Sequence, residues 1–441
     1  MVRYNISKVG VIIMKKIVDK NKYLPRIIDK TILQYLSVFG AVVVEGPKWC
    51  GKTWTSSYHS NSEYLVGDPT DGFQNRELAK LSPSLVLQGD TPRLIDEWQE
   101  VPSLWDAVRY EVDKRGEKGQ FILTGSSTPK TKGILHSGAG RIAKLKMRTM
   151  SLFESGDSSG DVSLLDLCNG KINPKLTGEV NLEDLAGYIV RGGWPGNLKV
   201  KPEHATLLPG AYLESILEDD FKDIDGIKYD TSKMKLLLKS LARNESTVAT
   251  NKKLLDDIKH FDDDSLNLNT IATYLNVFER LFLLDNQPAF STNIRSQIRV
   301  KQAPKRQFCD PSLPSALLKL TSNKLIGDLK TFGFLFESLC QRDLKIYAQS
   351  FNANVYHYMD YSNNEIDAVI ELEDGRWCAF EIKLGANQID DAAEKLIKIR
   401  DAIVNSGGIA PSVLCVISGL SNAAYQRPDG VFVVPITALK D

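Results

Sequence analysis

Eight consecutive residues near the start of the chain have the types and spacing of a phosphate-binding loop. They follow the apolar run 41–44 and precede a stretch, 53–58, that is compatible with a helix. In such a loop, backbone N–H groups surround the β-phosphate, the lysine contacts the β- and γ-phosphates, and the threonine hydroxyl binds Mg²⁺. The sequence therefore predicts an ATP and Mg²⁺ site. The residues, in the pattern G-x-x-x-x-G-K-[ST], are Gly46, Pro47, Lys48, Trp49, Cys50, Gly51, Lys52 and Thr53.

Two further strand ends supply the groups that hydrolysis needs. Asp96 and Glu97 follow the apolar pair 94–95, and this order suits an acid that holds Mg²⁺ followed by one that polarises the attacking water. Thr124 and Ser126 end the apolar run 121–123 and are candidates to sense the γ-phosphate. In an open parallel sheet the carboxyl ends of the strands face the ligand. An acidic strand end and a serine-rich turn without catalytic roles are the alternatives.

Arg141 is the candidate for the arginine that stabilises charge in the transition state of phosphoryl transfer. It follows the glycine-containing stretch 137–140, which could present it within its own subunit or to a neighbouring subunit of a homo-oligomer. A solvated arginine before a strand is the alternative.

A second group of charged residues lies near the C-terminus. Residues 365–372 and 376–384 read as two strands joined by a turn at 373–375. A turn centred on Asp374 would place Asp367 opposite Glu381, with Lys383 on the same face. Two carboxylates and a lysine in this arrangement suit a metal-dependent phosphodiesterase. A one-residue shift in register would place Glu381 on the opposite face from Asp367 and remove that function. The alternative is that these residues form the exposed, charged face of an amphipathic hairpin.

The elements that must position these groups indicate an α/β chain. Residues 22–155 alternate short apolar runs with helical stretches, which predicts a parallel sheet with strands at 41–44, 84–87, 93–95 and 121–124. Residues 155–163 read as a surface loop, and residues 180–285 are helical in pattern. A winged-helix interpretation of 230–290 would let the helix 269–281 touch nucleic-acid phosphates, and an ordinary helical core is the alternative.

Composition limits the classes that remain. The 441 residues contain 55 basic and 55 acidic side chains, so any nucleic-acid surface must be a local patch. The basic residues Arg295, Arg299, Lys301, Lys305 and Arg306 form one such candidate patch, and a solvated loop is the alternative. The six cysteines include no C-x-x-C pair, and no apolar run near the N-terminus is long enough for a membrane span. We therefore expect reduced thiols in a cytoplasmic protein. Translation starting at Met14 rather than Met1 is an open alternative.

Short motifs along the chain resemble those of prokaryotic, especially archaeal, AAA-superfamily P-loop ATPases that carry a C-terminal domain of unknown function. In order, they are Tyr23–Arg26, the phosphate-binding loop, Ile95–Pro102, Leu123–Ser126, Gly140–Arg141 and Gly192–Pro195. The resemblance implies an AAA-type parallel sheet flanked by helices (22–155), a helical, winged-helix-like segment (180–295) and an α/β domain similar to restriction-endonuclease-like folds (300–441). It also implies Glu337 as the upstream acid of a nuclease-like metal site with Asp367, Glu381 and Lys383. Lys48, Trp49 and Cys50 depart from the usual residues of the loop.

Two functions follow as hypotheses. The first is a Mg²⁺-dependent ATPase coupled to a C-terminal domain that acts on DNA or RNA and could be a nuclease. The second is a nucleotide-dependent switch or scaffold whose C-terminal domain is catalytically inactive.

Overall fold

The computed structural model describes residues 18–127, 134–220, 229–259, 267–293, 302–360 and 362–441. Its N-terminal part is built on a five-stranded sheet with the order β2-β3-β4-β1-β5, in which every neighbouring pair is parallel. The strands are β1 (Ala41–Glu45), β2 (Ser62–Leu65), β3 (Arg93–Asp96), β4 (Phe121–Gly125) and β5 (Ile142–Lys146). All five residues of β1 and of β4 are buried, because helices cover both faces of the sheet.

Five helices accompany this sheet: α1 (Ile28–Val38), α2 (Lys52–Tyr58), α3 (Thr70–Leu81), α4 (Pro83–Val86) and α5 (Ser103–Arg115). The prediction of a strand at 84–87 was wrong, because Pro83 occupies the first turn of α4, where its fixed φ favours a helix. The structure adds β2 and β5, which form the two edges of the sheet. Their polar residues hid them from a search for apolar runs.

The middle of the chain is helical, as predicted. Its helices are α9 (Leu207–Ser215), continued by a π-helical turn (Ile216–Asp220), α10 (Thr231–Arg243), α11 (Asn251–Lys259), α12 (Leu268–Arg280) and α13 (Ser312–Leu317). Asn267 caps α12 by accepting a hydrogen bond from the Thr270 N–H, at one of the two asparagines predicted to do so. The buried side of α12 includes Ile271, Tyr274 and Phe278, which pack in one apolar cluster with α10 and α11.

The C-terminal part contains a seven-stranded mixed sheet with the order β7-β12-β13-β11-β10-β9-β8. Its strands are β7 (Lys175–Leu176), β8 (Asn354–Met359), β9 (Glu365–Glu371), β10 (Trp377–Lys383), β11 (Val413–Ser418), β12 (Ala423–Gln426) and β13 (Phe432–Pro435). A separate two-stranded sheet pairs β6 (Val162–Ser163) with β14 (Leu439–Lys440). Helices α14 (Ser322–Ile326), α15 (Leu329–Gln349) and α16 (Ile389–Asn405) belong to this part.

The stretch 152–191 packs with the C-terminal part, although more than a hundred residues separate the two in sequence. It forms α6 (Leu152–Ser155), α7 (Leu164–Cys168) and α8 (Leu182–Arg191), and it contributes β6 and β7. Leu167, Leu185 and Ile189 share an apolar cluster with Phe336 of α15 and Phe380 of β10. The segment 155–163 therefore differs from the predicted surface loop, because the Val162 side chain is buried and Ser158 donates a hydrogen bond to the Leu439 carbonyl.

Short 3-10 turns complete the description, at Lys20–Lys22, Trp98–Glu100, Pro195–Asn197, Pro202–His204, Ala386–Gln388 and Ile436–Ala438. All six cysteines are free and buried. Within the described part of the chain, no helix combines the length and apolarity needed to cross a bilayer.

Candidate functional site

The predicted phosphate-binding loop connects the buried end of β1 to the first turn of α2. A Cβ atom on Gly46 would lie 2.1 Å from the Met147 carbonyl oxygen, so only glycine lets the loop pass this neighbour. Gly51, which precedes α2, has φ +104°, a conformation that favours glycine. The Lys52 side chain is buried and donates a hydrogen bond from Nζ to the Pro47 carbonyl, 2.8 Å away. The lysine therefore already lies inside the loop that would surround a phosphate.

Arg26 supports this loop from outside. Its guanidinium donates hydrogen bonds to the carbonyls of Cys50 (2.9 Å) and Arg148 (2.9 Å). It also forms a buried ion pair with Glu154, with 3.0 Å between Nε and Oε1. Glu154 in turn accepts a hydrogen bond from the Ile27 N–H. This arginine, part of the Tyr23–Arg26 motif, ties the loop to the strand end beside it.

The groups predicted for Mg²⁺ and water converge on the same place. Asp96 Oδ1 accepts hydrogen bonds from Thr53 Oγ1 (2.9 Å) and from Thr124 Oγ1 (2.6 Å). Burial raises the pKa of Asp96, with the neighbouring charge of Glu97 in the same direction. Glu97 Oε2 accepts a hydrogen bond from Ser126 Oγ (3.0 Å), and the Glu97 N–H donates to Thr124 Oγ1 (3.0 Å). Three strand ends are thus joined by direct hydrogen bonds.

The donor atoms in this network suit a magnesium ion. Mg²⁺ prefers oxygen ligands and is usually held by one or two protein groups together with substrate phosphates. The Thr53 hydroxyl and the Asp96 carboxylate offer two such oxygens at the mouth of the loop. These residues would hold the ion.

A cavity of about 1270 Å³ opens beside this network and is large enough for a nucleotide. Lys52, Thr53, Glu97 and Ser126 line one side of it. Gln99 and Trp194, from the Ile95–Pro102 and Gly192–Pro195 motifs, also line it, as do Arg76 and Arg280, which the sequence analysis did not single out. Gln99 Nε2 donates a hydrogen bond to Glu97 and lies 3.3 Å from Ser126 Oγ. Arg280 is the last residue of α12, so the helical middle of the chain contributes to the lining of this cavity.

The structure does not bring Arg141 to this cavity. Its carbonyl accepts a hydrogen bond from the Ala41 N–H, at the start of β1, whereas the loop follows the end of that strand. At about 3.3 Å per residue, Arg141 lies roughly 16 Å from Gly46 along the strand. The guanidinium is half exposed and pairs with Asp113, with 2.8 Å between Nε and Oδ1. A role within the same subunit does not fit this position, which leaves the predicted role across subunits and the alternative of a solvated arginine.

The C-terminal hairpin has the predicted register. The ladder pairs Trp377 with Glu371 and Phe380 with Ala368, and Asp367 and Glu381 continue it by one position. Asp367 Oδ2 accepts a hydrogen bond from the Ile382 N–H (2.9 Å). A cavity of about 810 Å³ brings together the four residues of the predicted nuclease-like set. They are Glu337, Asp367, Glu381 and Lys383.

Three further charged residues, which the sequence analysis did not assign to this set, belong to the cluster. The ammonium of Lys305 lies 2.6 Å from Glu337 Oε1, 2.6 Å from Glu365 Oε1 and 3.6 Å from Asp367 Oδ1. Lys383 and Lys395 both contact Glu381 Oε1, at 2.8 Å and 2.6 Å. Among the described residues, no group of three or more acidic, histidine or cysteine side chains has the arrangement of a metal site.

Two residues of the predicted basic patch are buried rather than exposed. Lys305 is fully buried in the acidic cluster. Arg306 is also buried and donates hydrogen bonds to the Ala249 carbonyl and to Asn251. Neither side chain can meet a nucleic-acid backbone, so this part of the prediction was wrong. Arg295, Arg299 and Lys301 lie outside the described residues.

Comparison with known proteins divides the chain into three regions. Residues 39–155 match a family described as an AAA domain. Residues 182–324 and 332–439 match two families described as domains of unknown function, DUF8612 and DUF4143. The first match supports a P-loop ATPase, in agreement with the resemblance seen in the sequence.

Two curated relatives are uncharacterized proteins of Mycobacterium bovis and Mycobacterium tuberculosis. Each is 24% identical to this chain over 349 residues, which are 78% of this chain and 70% of the relative. A similar solved structure is the Walker-type ATPase PABY2304 of Pyrococcus abyssi. It aligns with a TM-score of 0.42 and 11% identity, covering 68% of this chain and 97% of that one.

Proposed function

We propose that this protein is a Mg²⁺-dependent ATPase whose nucleotide cycle controls a C-terminal domain that acts on nucleic acid. The observation that carries the ATPase proposal is the hydrogen-bond network of Thr53, Asp96, Thr124, Glu97 and Ser126 beside Lys52. A loop that only bound phosphate would need Lys52 and the backbone N–H groups. The paired acids and the hydroxyls at the ends of β3 and β4 are the additional groups that hydrolysis needs.

The residues suggest how the reaction proceeds. Lys52 leaves the Pro47 carbonyl and contacts the β- and γ-phosphate oxygens when ATP binds. Glu97 orients the attacking water, and Ser126 and Gln99 fix the Glu97 carboxylate until the γ-phosphate arrives. Thr53 and Asp96 would hold the magnesium ion, and the ion would supply positive charge to neutralise the transferred phosphoryl group. Arg280 and Arg76, which also line the cavity, are the candidates to contact the phosphate tail.

Two substitutions test this proposal in the full-length protein by phosphate release with Mg²⁺ and ATP. Lys52→Ala should abolish hydrolysis and weaken ATP binding, because the cation at the β- and γ-phosphates is lost. Glu97→Gln should retain binding and slow hydrolysis by about 10²-fold or more, the usual contribution of a general base. Lys80→Ala, on the exposed surface of α3, is the matched control. Absence of hydrolysis by the wild type, with and without DNA, would contradict the proposal.

Nucleic acid is proposed as the target because lysines line the C-terminal cavity. Lys330, Lys383 and Lys395 lie along it, and lysines contact phosphate backbones without reading sequence. Binding of labelled single- and double-stranded DNA and RNA, with and without ATP, tests this part. Absence of binding to all four nucleic acids would contradict the nucleic-acid proposal and would leave the ATPase proposal unaffected. The buried free cysteines support the reducing cytoplasm as the compartment.

The second hypothesis, a switch whose C-terminal domain binds without cutting, is favoured by one observation. Lys305 lies among the carboxylates that a nuclease would use for its metal. A comparison of wild type with Asp367→Ala on radiolabelled DNA and RNA, with Mg²⁺ or Mn²⁺, separates the two hypotheses. We expect equal and negligible cleavage. Cleavage that Asp367→Ala abolishes would favour the nuclease.

A further inference from the structure

Lys305 occupies the centre of the acidic cluster in the C-terminal domain. Its ammonium is within 2.6 Å of an oxygen of Glu337 and of Glu365, and within 3.6 Å of Asp367. The side chain is fully buried, unlike most lysines, which keep the ammonium in water. A buried ammonium is stable only when carboxylates surround it, and here three of them do.

The backbone fixes Lys305 in this position. Its N–H donates to the Gln287 carbonyl (2.9 Å), and the Gln287 N–H donates to the Lys305 carbonyl (3.0 Å). The Gln287 side chain donates hydrogen bonds to Gln341 and to the carbonyls of Tyr356 and Asp367. The Lys305 backbone thus pairs with Gln287, whose side chain is bonded to β8 and β9, and the Lys305 side chain is buried.

The charge of Lys305 is maintained by its neighbours. Burial alone would lower its pKa, but the carboxylates of Glu337, Asp367 and Glu365 raise it above the ordinary value. Conversely, burial would raise the pKa of Asp367, and the charges of Lys305, Lys383 and Lys395 hold it below its ordinary value. Among the described residues, the cluster contains four acidic side chains and three ammonium groups, so the protein itself nearly balances its charge.

The residues present do not fit a divalent metal ion. A magnesium ion needs several oxygens at about 2.0–2.1 Å in octahedral geometry. Here Asp367 Oδ2 already accepts from the Ile382 N–H, and Glu381 Oε1 contacts two lysines. A cation placed between Glu337 and Asp367 would meet the ammonium of Lys305. Like charges at this distance in a buried site repel strongly.

We propose that Lys305 is a resident cation that takes the place of the divalent metal ion, so that the C-terminal domain works without a metal. The acidic side chains and lysines of the cluster then neutralise one another and have a structural role beside the cavity. Lys330, which is exposed at this cavity, remains for binding. This inference is independent of the proposed ATPase, because other residues, Thr53 and Asp96, would hold Mg²⁺ in the nucleotide site.

The first test uses the wild-type protein. Crystals grown without nucleotide and soaked in MnCl₂ should show no anomalous peak among Glu337, Asp367 and Glu381, and they should show the lysine ammonium there. A manganese peak bridging these carboxylates would overturn the proposal.

The second test removes the ammonium. Lys305→Met should lower the melting temperature, because it leaves buried carboxylates without their counter-ion, and millimolar Mn²⁺ should reverse at least half of that loss. The control is Lys398→Met, which removes an exposed lysine from α16 and should respond to Mn²⁺ as the wild type does. A folded Lys305→Met protein that is no more responsive to Mn²⁺ than the control would overturn the proposal. If this variant does not fold, the anomalous map decides alone.

Discussion

Arg280 shows how far a residue's role can depend on the fold. It stands at the end of an ordinary amphipathic helix, far in sequence from the phosphate-binding loop, and yet it lines the nucleotide cavity. Arg141, in a glycine-containing stretch, lies beside the start of β1, at the opposite end of that strand from the loop. The glycine-containing lead favoured Arg141 in the sequence, whereas Arg280 is the arginine that lines the cavity.

Replacement of Arg280 by alanine should therefore lower kcat/KM for ATP by about 10- to 100-fold. This range corresponds to the roughly 1.5–3 kcal/mol of a hydrogen bond to a charged group. Steady-state kinetics of the full-length protein measure it. Arg141→Ala is the matched control and should leave kcat/KM within about twofold for isolated subunits, because its partner Asp113 is remote from the cavity. The opposite ranking of the two variants would refute the assignment.

Glu245 is a buried acid with a consequence for stability. It accepts hydrogen bonds from Ser338 Oγ (2.6 Å) and from the Phe308 N–H, and burial raises its pKa from 4.5 to about 8. Between these two pH values the folded protein retains a proton that the unfolded chain has released. The stability from this group is complete below pH 4.5 and is lost as the pH rises through 8.

Glu245→Gln should remove this dependence, because glutamine does not titrate. Urea unfolding between pH 5 and 8 measures the effect: the wild type should lose up to about 1.4 kcal/mol per pH unit relative to the variant. Glu394→Gln, on the exposed side of α16, should keep the wild-type slope. Parallel curves for wild type and Glu245→Gln would show that Glu245 is ionised in the folded protein.

Among the elements, β1, the phosphate-binding loop and the residue after β5 approach one another closely at the nucleotide site. Gly46 passes the Met147 carbonyl so closely that no side chain fits. Gly46→Ala should therefore displace the loop and weaken binding of a fluorescent ATP analogue by at least about tenfold, equivalent to 1.4 kcal/mol. Gly187→Ala in α8, where a methyl group meets no atom, should leave binding unchanged. Unaltered affinity in Gly46→Ala would mean that the loop is not at the nucleotide.

The same elements show what the sequence could predict. The loop, the ends of β3 and β4, and the hairpin register were correct, because each depends on short-range patterns: glycine positions, apolar runs and a turn centred on one residue. Edge strands β2 and β5 were missed, since edge positions tolerate polar residues. The helix α4 begins at Pro83 and has four residues, which carry too little periodicity to distinguish it from a strand.

Lys305 could not be placed from sequence at all. Its neighbours include Arg306, and two adjacent basic residues ordinarily indicate a solvated or phosphate-binding surface. Its true surroundings are set by the pairing of its backbone with Gln287 and by α15 and β9, which arrive from later in the chain. Such long-range pairings leave no local signal.

In the whole molecule, Asp285 joins the N-terminal sheet to the C-terminal domain. Its two carboxylate oxygens lie 2.7 Å from Lys146 Nζ and 2.6 Å from Arg148 Nε, just after β5, and 3.6 Å from Lys345 Nζ of α15. Burial would raise the pKa of Asp285, but these three cations hold it well below the ordinary value. Met147 lies between Lys146 and Arg148 and contacts the loop at Gly46. The charge cluster around Asp285 therefore adjoins the nucleotide site.

Asp285→Asn should destabilise the protein by about 3–5 kcal/mol, the usual effect of removing one partner from a buried ion pair. Denaturant unfolding measures this loss. Addition of Lys345→Met to the same protein should recover part of it, because one buried cation then no longer lacks a counter-ion. Asp374→Asn, at the exposed turn of the hairpin, provides the control. Equal stability of Asp285→Asn and wild type would show that the cluster does not hold the two parts together.

The association of residues 152–191 with the C-terminal sheet has a consequence for biosynthesis. Ser158 and its partner Leu439 are 281 positions apart, and β6 pairs with β14. During translation, this segment leaves the ribosome long before the strands that cover Leu167 and Leu185 exist. Its apolar side chains therefore remain uncovered in the nascent chain while the P-loop sheet and the middle helices form. High contact order of this kind slows folding and exposes the chain to aggregation. We therefore expect the nascent chain to depend on chaperones that hold the segment until synthesis reaches β14.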